Sequence, residues 1–385
     1  MYPIMLKYSN NLVESLHQKV AADEVIEMKE IFGPYSMDVV TSTAFSVDID
    51  SLNQPSDPFV ANIKKMVTFN FLHPLLLLIV LFPFLGPVFD KLNVSIFPAD
   101  VLEFFYSSLK KIKDDRKKNT HNVIAYVKCF PIFHYGHFFN QVFQNFKFLK
   151  RVDFMQLMVD SQTTEEDNED GTSQKGLSDH EVLSQAMIFI FAGYETSSST
   201  LCFLAYNLAT NPEVQIALQN EIDETFENKS RPTYEVLMQM EYLDMVINES
   251  QRLYPLGSRL ERIAKASVEV NGVTIPKGTA IVVPVYTLHR DPALWPQPEV
   301  FRPERFSKEN RDNIDPYSFM PFGVGPRNCV GMRFALMMMK LCVVEILQNF
   351  SFVTCKETEI PLELGADGFL GPKNPIKLKL VPRVY

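Results

Sequence analysis

The chain has 385 residues, 46% of them hydrophobic and 22% charged, and a formal net charge of −9. This composition excludes disorder for most of the chain, and the length is enough for one large hydrophobic core or two modest ones. The negative charge argues against nucleic acid as a partner, because binding to phosphates needs a basic surface.

Helical periodicity predicts helices from the start of the chain to about residue 255, and most strands only after it. The first twenty residues read as an amphipathic helix, with no evident signal peptide or transmembrane helix. Residues 75–82 are eight apolar residues bracketed by prolines, too short a stretch to span a bilayer. This stretch either packs in the core or inserts into the membrane interface.

Two later segments depart from this periodicity. Residues 122–150 carry seven phenylalanines without a clean period of 2 or 3.6. We interpret them as an atypical insert, of the kind that an unspliced segment would produce, with a functional lid as the alternative. Residues 161–176 are acidic and have no large apolar side chain, which predicts a mobile acidic loop on the surface.

A long helix is predicted after this loop. Ser178 and Glu181 have the spacing of a capping box, and the helical pattern continues to Asn211, directly before Pro212. The pattern predicts a helix of about nine turns, long enough to cross a whole domain.

The middle of this helix carries small and polar residues at 192–196 within an apolar run. Thr196 can bond back to the carbonyl of Ala192, and Gly193 would leave room for a ligand against the backbone. The hydroxyl of Thr196 and the carboxylate of Glu195 could then relay protons at an oxygen-sized groove. The alternative is a polar patch that packs against another helix.

A second polar pair lies on the helix predicted before residue 255. Glu249 and Arg252 are three residues apart, so both lie on one face and could form an ion pair. By itself, such a pair is most often a surface salt bridge.

Strand signals begin beyond residue 265. Residues 268–275 read as a hairpin in which Asn271 and Gly272 form a type I′ turn, and residues 279–286 follow as a further strand.

The ten residues 322–331 read FGVGPRNCVG and look suited to hold a metal through one sulfur. Gly323 and Gly325 allow the backbone to turn sharply and to lie close to a flat macrocycle. Arg327 could pair with a haem propionate in a charge-assisted contact. Cys329 would be the ligand, because a thiolate on haem iron favours splitting of the O–O bond of bound oxygen.

The rest of the chain supports Cys329 as the candidate ligand. None of the five cysteines belongs to a CxxC pair, so neither a zinc site nor a disulfide framework is indicated, and a reducing compartment is expected. The apolar helical pattern after Gly331 places Cys329 near a helix N-terminus, where amide donors and the helix dipole favour a thiolate. For a lone cysteine, the alternative would be a buried, inert residue beside a glycine turn.

A second hairpin is predicted at the C-terminus. Residues 360–364 and 376–381 would pair, and residues 366–372 would form a glycine-rich tip.

Residues 322–331, with Phe, Gly, Arg, Cys and Gly at fixed offsets, resemble the haem-binding loop of the cytochrome P450 monooxygenases, and residues 191–196 are similar to the oxygen-activating helix of that family. The resemblance implies a mainly α fold with small β-sheets, the cytochrome P450 fold lacking its N-terminal part, in a single domain over residues 1–385. It implies haem b as cofactor. The roles that it implies are iron ligation by Cys329; haem binding by Phe322, Gly323, Arg327, Gly331 and, as a second propionate partner, Arg262; proton relay by Glu195 and Thr196; and a buried structural network of Glu249, Arg252 and, from the PERF segment 303–306, Arg305.

The stretches IFIFAGYET, EYLDMV, IPKG, NIDPY and GPRNC resemble the steroid- and drug-oxidising 3A subfamily. This resemblance implies oxygenation of apolar substrates such as steroids, drugs and other xenobiotics, with O2 and electrons from NADPH-cytochrome P450 reductase, and with cytochrome b5 as a further candidate partner. It places the protein at the membrane surface, on the cytosolic face of the endoplasmic reticulum. The pocket positions that it implies, besides Thr196, are Phe69, Phe71, Phe191, Ala192, Leu256, Gly257 and Phe369.

Family members are longer than this chain, so we expect an N-terminally truncated protein without the membrane anchor. Its haem affinity is expected to be weakened, since the family's propionate-binding tryptophan has no counterpart and Trp295 is the one tryptophan in the sequence. One rival interpretation is a haem-deficient, non-catalytic family member. Another is a haem-thiolate isomerase, although Thr196 counts against it because such enzymes need no proton relay.

Overall fold

The computed structural model describes residues 1–54, 57–67, 88, 98–129, 153–162, 176–365 and 369–383. Within residues 98–129, it describes side chains as far as residue 116. The apolar stretch 75–82, the pocket candidates Phe69 and Phe71, residues 130–150 of the insert and residues 163–175 of the acidic loop lie outside the described residues. The start of the insert, residues 122–129, is the last part of a helix.

Helices make up most of the described chain. Their bounds are α1 Tyr2–Ala21, α2 Met28–Phe45, α3 Pro58–Val67, α4 Ala99–Cys129, α5 Phe154–Asp160, α6 Asp179–Thr210, α7 Pro212–Thr225, α8 Tyr234–Leu237, α9 Glu241–Leu253, α10 Val285–Leu288, α11 Lys308–Arg311 and α12 Met332–Leu347. Short 3-10 turns lie at Glu227–Lys229, Pro303–Phe306 and Gly325–Arg327.

The strands among the described residues are short and antiparallel, and they form three small sheets. Their bounds are β1 Ile26–Glu27, β2 Leu260–Ile263, β3 Val268–Val270, β4 Val273–Ile275, β5 Ala280–Val283, β6 Phe350–Val353 and β7 Lys377–Pro382. The sheets have the orders β1-β7-β6, β2-β5 and β3-β4. The predicted fold class, mainly α with small β-sheets, is confirmed.

Two local predictions are confirmed, the first by hydrogen bonds and the second by backbone angles. The amide of Ser178 donates to Glu181 Oε2 (2.8 Å), and the amide of Glu181 donates to Ser178 Oγ (3.2 Å), which is the reciprocal pattern of a capping box. Between β3 and β4, Asn271 and Gly272 have φ of 49° and 77°, as a type I′ turn requires.

The prediction of a C-terminal hairpin between residues 360–364 and 376–381 is wrong. Strand β7 pairs with β6, where Phe352 lies opposite Leu380, and with β1, where Ile26 lies opposite Leu378. Residues 360–364 contribute to one isolated bridge, between Leu364 and Pro372. The alternating Leu378 and Leu380 are both buried, so β7 pairs where its apolar side chains face a core rather than with the segment nearest in sequence.

The chain divides into two compact units, and the divisions fall within α2 and α6. In residues 36–195, a hydrophobic core forms from α2, α3, α4, α5 and the first half of α6, with fully buried members such as Ile63, Phe105 and Met155. Arg116 and Asp153 form a buried ion pair beside this core, and Arg116 Nη2 also donates to the carbonyl of Phe45 (2.6 Å). Because the two charges pair inside the fold and Arg116 also binds Phe45, they hold the ends of α2 and α5 against α4.

The second unit comprises residues 2–35 and 196–385. Its α1 packs on α12, and the Tyr35 hydroxyl donates to the carbonyl of Met338 (3.1 Å). On α7, the side-chain amide of Gln215 donates to the carbonyl of Phe352 (2.9 Å) and accepts from its N–H (2.8 Å). The neighbouring Gln219 donates to the carbonyl of Phe350 (3.2 Å) and to Ser351 Oγ (2.9 Å). Both glutamines therefore hold the free edge of β6 on α7.

The expected role of Gly193 is also wrong. A Cβ at this position would lie 2.4 Å from Val40 Cγ2 and 3.0 Å from Val40 Cγ1, so the space beside the glycine is filled by α2. The carbonyl of Gly193 accepts from Ser36 Oγ (2.7 Å), which holds the same two helices together. Glycine is needed here for close helix packing, not for a ligand.

We therefore expect Gly193→Ala to destabilise the protein. Overpacking typically costs about 1–3 kcal/mol, and the higher helix propensity of alanine returns about 1 kcal/mol of that. Chemical denaturation should show that Val40→Ala in the same chain restores part of the loss, so that the two changes are not additive. Additive effects would show that Val40 does not set the requirement for glycine.

Candidate functional site

A buried ionic network lies at the end of α9. Glu249 accepts two bonds from Arg252, at 2.7 Å from Nε and 2.9 Å from Nη2, and a third from Arg305 Nε at 3.2 Å. The first two side chains are fully buried, and Arg305 is 7% exposed. The network brings together residues 56 positions apart in sequence, and the surface-salt-bridge alternative is excluded by burial.

The remaining donors of the two arginines bind backbone carbonyls. Arg305 donates to Pro296 (2.6 Å) and Gln297 (2.7 Å), and Arg252 donates to His289 (2.8 Å). Glu249 also accepts from the amide of Arg302 (2.9 Å). Burial lowers the pKa of Arg305, and the Glu249 carboxylate opposes that shift. The network therefore orders an irregular segment that has little regular secondary structure of its own.

His289 belongs to this network, although the sequence analysis did not identify it. Its side chain is fully buried at the end of α10. Nε2 lies 2.9 Å from the amide of Met320, and Nδ1 lies 3.3 Å from the carbonyl of Arg252. A polar residue directly after the apolar run Ile281–Leu288 was the available signal, but a buried histidine and a surface histidine look alike in sequence.

The contacts of His289 assign its tautomer. A backbone amide can only donate and a carbonyl can only accept, so Nε2 carries no proton and Nδ1 carries one. Burial is the largest cause that lowers the pKa of His289, to about 4, and the charge of Arg252 acts in the same direction. The imidazole is therefore neutral over the physiological range.

The loop 322–331 begins two residues after Met320. The amide of Gly323 donates to the carbonyl of Met320 (3.0 Å), and the amide of Cys329 donates to the carbonyl of Phe322 (2.8 Å). Gly323 and Gly325 have φ of 71° and 79°, a region that favours glycine. Cys329 is a free, exposed cysteine, which excludes the alternative of a buried, inert residue.

This loop leads into α12, whose N-cap is Gly331. The carbonyl of Gly331 accepts from the amide of Ala335 (2.8 Å), and the helix runs from Met332. A Cβ at Gly331 would lie 3.9 Å from Cys329 Sγ, in ordinary van der Waals contact, so this glycine lies next to the sulfur. Cys329 thus lies just before a helix N-terminus, with a glycine beside its thiol.

These features fit a haem-thiolate ligand. The donor is one soft sulfur on an exposed loop, next to backbone that glycines allow to lie flat. Among the residues that the structure describes, no group of three or more His, Cys, Asp or Glu could hold a metal ion. The loop itself offers one exposed thiol, the donor that a thiolate-ligated haem requires.

Two candidate propionate partners are exposed arginines. Arg327 lies in the 3-10 turn Gly325–Arg327, two residues before Cys329. Arg262 lies on β2 opposite Ile281 of β5, and its Nη1 donates to the carbonyl of Glu261 (2.7 Å).

The candidate proton-relay residues lie in the middle of α6. Glu195 and Thr196 are both half-buried, and the carbonyl of Thr196 accepts from Thr200 Oγ1 (2.9 Å). One turn before them, Ala192 is exposed and Phe191 is half-buried.

Three other pocket candidates lie in the second unit. Leu256 and Gly257 are half-buried after α9, and Phe369 is 42% exposed. The amide of Leu370 donates to the carbonyl of Leu256 (3.0 Å), which brings residues 256 and 369 close together although they are far apart in sequence.

The model of the cytochrome P450 family matches residues 1–380 of this chain. Cytochrome P450 3A40 of Oryzias latipes is 60% identical over 383 residues, which cover 100% of this chain and 70% of that relative. Cytochrome P450 3A30 of Fundulus heteroclitus is 58% identical, with 100% of this chain and 71% of the relative covered. Cytochrome P450 3A12 of Canis lupus familiaris is 52% identical, with coverage of 100% and 70%.

The buried network makes a prediction about stability. Glu249→Ala leaves Arg252 and Arg305 without their carboxylate, and breaking a buried ion pair in this way typically costs about 3–5 kcal/mol. Chemical denaturation should show this loss. Glu241→Ala is the matched control, since Glu241 pairs with Lys308 at the surface, where such pairs contribute about 0–1 kcal/mol. Equal effects of the two substitutions would contradict the role of the network.

The neutral state of His289 makes a prediction about pH. Its pKa rises from about 4 in the folded protein to about 6.5 on unfolding, so the unfolded state binds one more proton between these values. The free energy of unfolding should therefore fall as the pH falls from 6.5 to 4, by about 3 kcal/mol for this group.

Denaturation of the wild type and of His289→Gln across this range isolates the effect. The contribution of His289 is the difference between the two free energies of unfolding at each pH. The comparison is needed because Asp38, whose buried carboxyl has a pKa raised to about 6, makes stability change with pH in the opposite direction in both proteins. Parallel stability profiles of the two proteins would show that His289 is not held neutral.

Proposed function

Because this chain belongs to the cytochrome P450 family of haem-dependent monooxygenases, we propose that it inserts one oxygen atom from O2 into apolar substrates such as steroids, drugs and other xenobiotics. The family implies haem b as cofactor, and in general an apolar substrate and a redox partner. The observation that carries the proposal is the exposed thiol of Cys329, on a glycine-bearing loop that leads into α12.

Cys329 is the proposed axial ligand of the haem iron. When bound, the haem supplies oxygen activation, for which an electron-rich thiolate is the suitable ligand. The Cys329 amide donates to the carbonyl of Phe322 (2.8 Å), and this bond fixes the backbone that carries the sulfur. Phe322, Gly323 and Gly331 are proposed to shape the haem-facing surface of the loop.

Arg327 and Arg262 are proposed to hold the haem propionates. Both are exposed and cationic, and guanidinium groups bind carboxylates through paired, charge-assisted hydrogen bonds. Their contribution would orient the cofactor and neutralise its carboxylates.

Glu195 and Thr196 are proposed to move protons during the reaction. A hydroxyl can accept and donate a proton in one step, and a carboxylate next to it can hold a proton for transfer. In this scheme Glu195 takes up the proton and the Thr196 hydroxyl delivers it.

The apolar residues proposed to contact the substrate are those that the resemblance to the 3A subfamily implies. Those within the described residues are Phe191, Ala192, Leu256, Gly257 and Phe369, and Phe69 and Phe71 are proposed from sequence position. The similarity to 3A proteins supports this set, because it extends over the whole of this chain.

NADPH-cytochrome P450 reductase is the proposed electron donor, with cytochrome b5 as a further partner. The proposed location is the membrane surface on the cytosolic face of the endoplasmic reticulum. Among the described helices, α6 has the length and hydropathy of a membrane span, yet half of its most apolar window is buried within the fold. We therefore assign α6 to the protein core.

We propose that residues 1–385 act as one cytochrome P450 domain, with 122–150 as an atypical insert and 161–176 as a mobile acidic loop. The match of the family model over residues 1–380 supports the first of these assignments. The haem-deficient alternative is not favoured, because the similarity to cytochrome P450 3A40 spans the whole chain.

Haem reconstitution tests the proposal. The expressed chain, loaded with haem, reduced and exposed to carbon monoxide, should give the Soret band of thiolate ligation. Cys329→Ser should lose that band, whereas Cys355→Ser, which alters a half-buried cysteine near Lys377, should keep it. A wild-type chain without the band would refute haem-thiolate function, and an unchanged band in Cys329→Ser would refute the ligand.

A further inference from the structure

We infer that His289 is a positioning residue for the cysteine loop, one that transmits the order of the Glu249–Arg252–Arg305 network to Cys329. The inference rests on the proposed function, since it concerns the residue proposed to ligate haem iron. It concerns contacts among residues of the second compact unit.

The first step is the attachment of His289 to the network. Its carbonyl accepts from Arg252 Nη1 (2.8 Å), and its Nδ1–H donates to the carbonyl of Arg252 (3.3 Å). His289 and Arg252 are therefore joined at two points, and Arg252 itself donates two bonds to the carboxylate of Glu249. A ring held in this way has little freedom to tilt.

The second step is the attachment of the loop to His289. Nε2 accepts the amide of Met320 (2.9 Å), and Met320 is 5% exposed, so this amide is shielded from water. The ring of Phe319 lies 5.3 Å from the imidazole and 4.7 Å from the ring of Phe306, which follows Arg305 in the PERF segment. The segment before the loop is thus held by one hydrogen bond and by aromatic packing.

The third step leads from Met320 to the cysteine. The carbonyl of Met320 accepts from Gly323, and within that turn Phe322 offers its carbonyl to the amide of Cys329. Loss of the bond at Met320 would leave a buried donor unsatisfied, and the turn would shift to find another acceptor. Phe322 would move with it, and so would the backbone of Cys329.

The imidazole has a specific chemical suitability for this position. It must accept at one nitrogen and donate at the other, and a neutral histidine does both from a rigid ring. A charged ring would present two donors, one of them toward the Met320 amide. Burial keeps the ring neutral, and the charge of Arg252 acts in the same direction, so the acceptor on which the loop depends is maintained.

Substitutions of His289 can distinguish the role of its Nδ1 donor from that of its Nε2 acceptor. Asparagine at position 289 can keep the donor toward Arg252 but is too short to reach Met320, whereas glutamine reaches the position of Nε2 with an acceptor. Phenylalanine keeps a ring but provides neither the donor nor the acceptor.

We expect His289→Gln to retain the thiolate-type Soret band of the reduced, carbon monoxide-bound haem protein. His289→Asn and His289→Phe should lower the ratio of thiolate-type to thiol-type band about tenfold, which corresponds to about 1.4 kcal/mol.

Leu218→Ala is the control for general loss of stability, because Leu218 is fully buried on α7 and takes no part in the network. It should lower the melting temperature without changing the ratio of the two bands. An equal ratio in His289→Asn and His289→Gln would overturn the inference, and so would a similar fall in Leu218→Ala. If His289→Phe does not fold, the comparison of Asn with Gln still decides.

The wild-type spectrum separates this inference from the proposed function. A wild type without any thiolate-type band refutes the function and, with it, the inference. A wild type with the band and an unaffected His289→Asn variant refutes the inference alone.

Discussion

The single carboxylate of Glu249, buried with two arginines, is the constraint on which the order of this region depends. Ionised groups inside a protein are stable only when nearly all of their hydrogen-bonding capacity is used. Glu249 cannot satisfy two guanidinium groups alone, so the donors left over bind backbone carbonyls at Pro296, Gln297 and His289. Hydrogen bonding of these buried charges thus fixes the conformation of a segment that has little regular secondary structure.

Much of this architecture follows from local sequence signals. The capping box that begins α6 and the Asn271–Gly272 turn were predictable because each is decided by residues a few positions apart. The resemblance of residues 322–331 to a known loop directed attention to Cys329 for the same reason. Such features are independent of what the rest of the chain does.

Other features depend on contacts between distant residues, and the sequence analysis missed or misjudged them. The partner of β7 is decided by where its buried leucines find a core, and Phe352 lies nearly thirty residues upstream of Leu380. The need for glycine at 193 comes from Val40, on another helix. His289 became a candidate only when its two nitrogens were seen between Arg252 and Met320. Single-sequence patterns carry no information on such pairings.

The amide side chains of α7 have a consequence for self-association. Strand β6 is at the edge of its sheet, and an edge strand with free N–H and C=O groups can act as a template for pairing with another chain. Gln215 occupies both backbone groups of Phe352, and Gln219 occupies the carbonyl of Phe350. The helix therefore closes the edge as a further strand would, and this side of the sheet is protected against the strand-to-strand contacts that start aggregation.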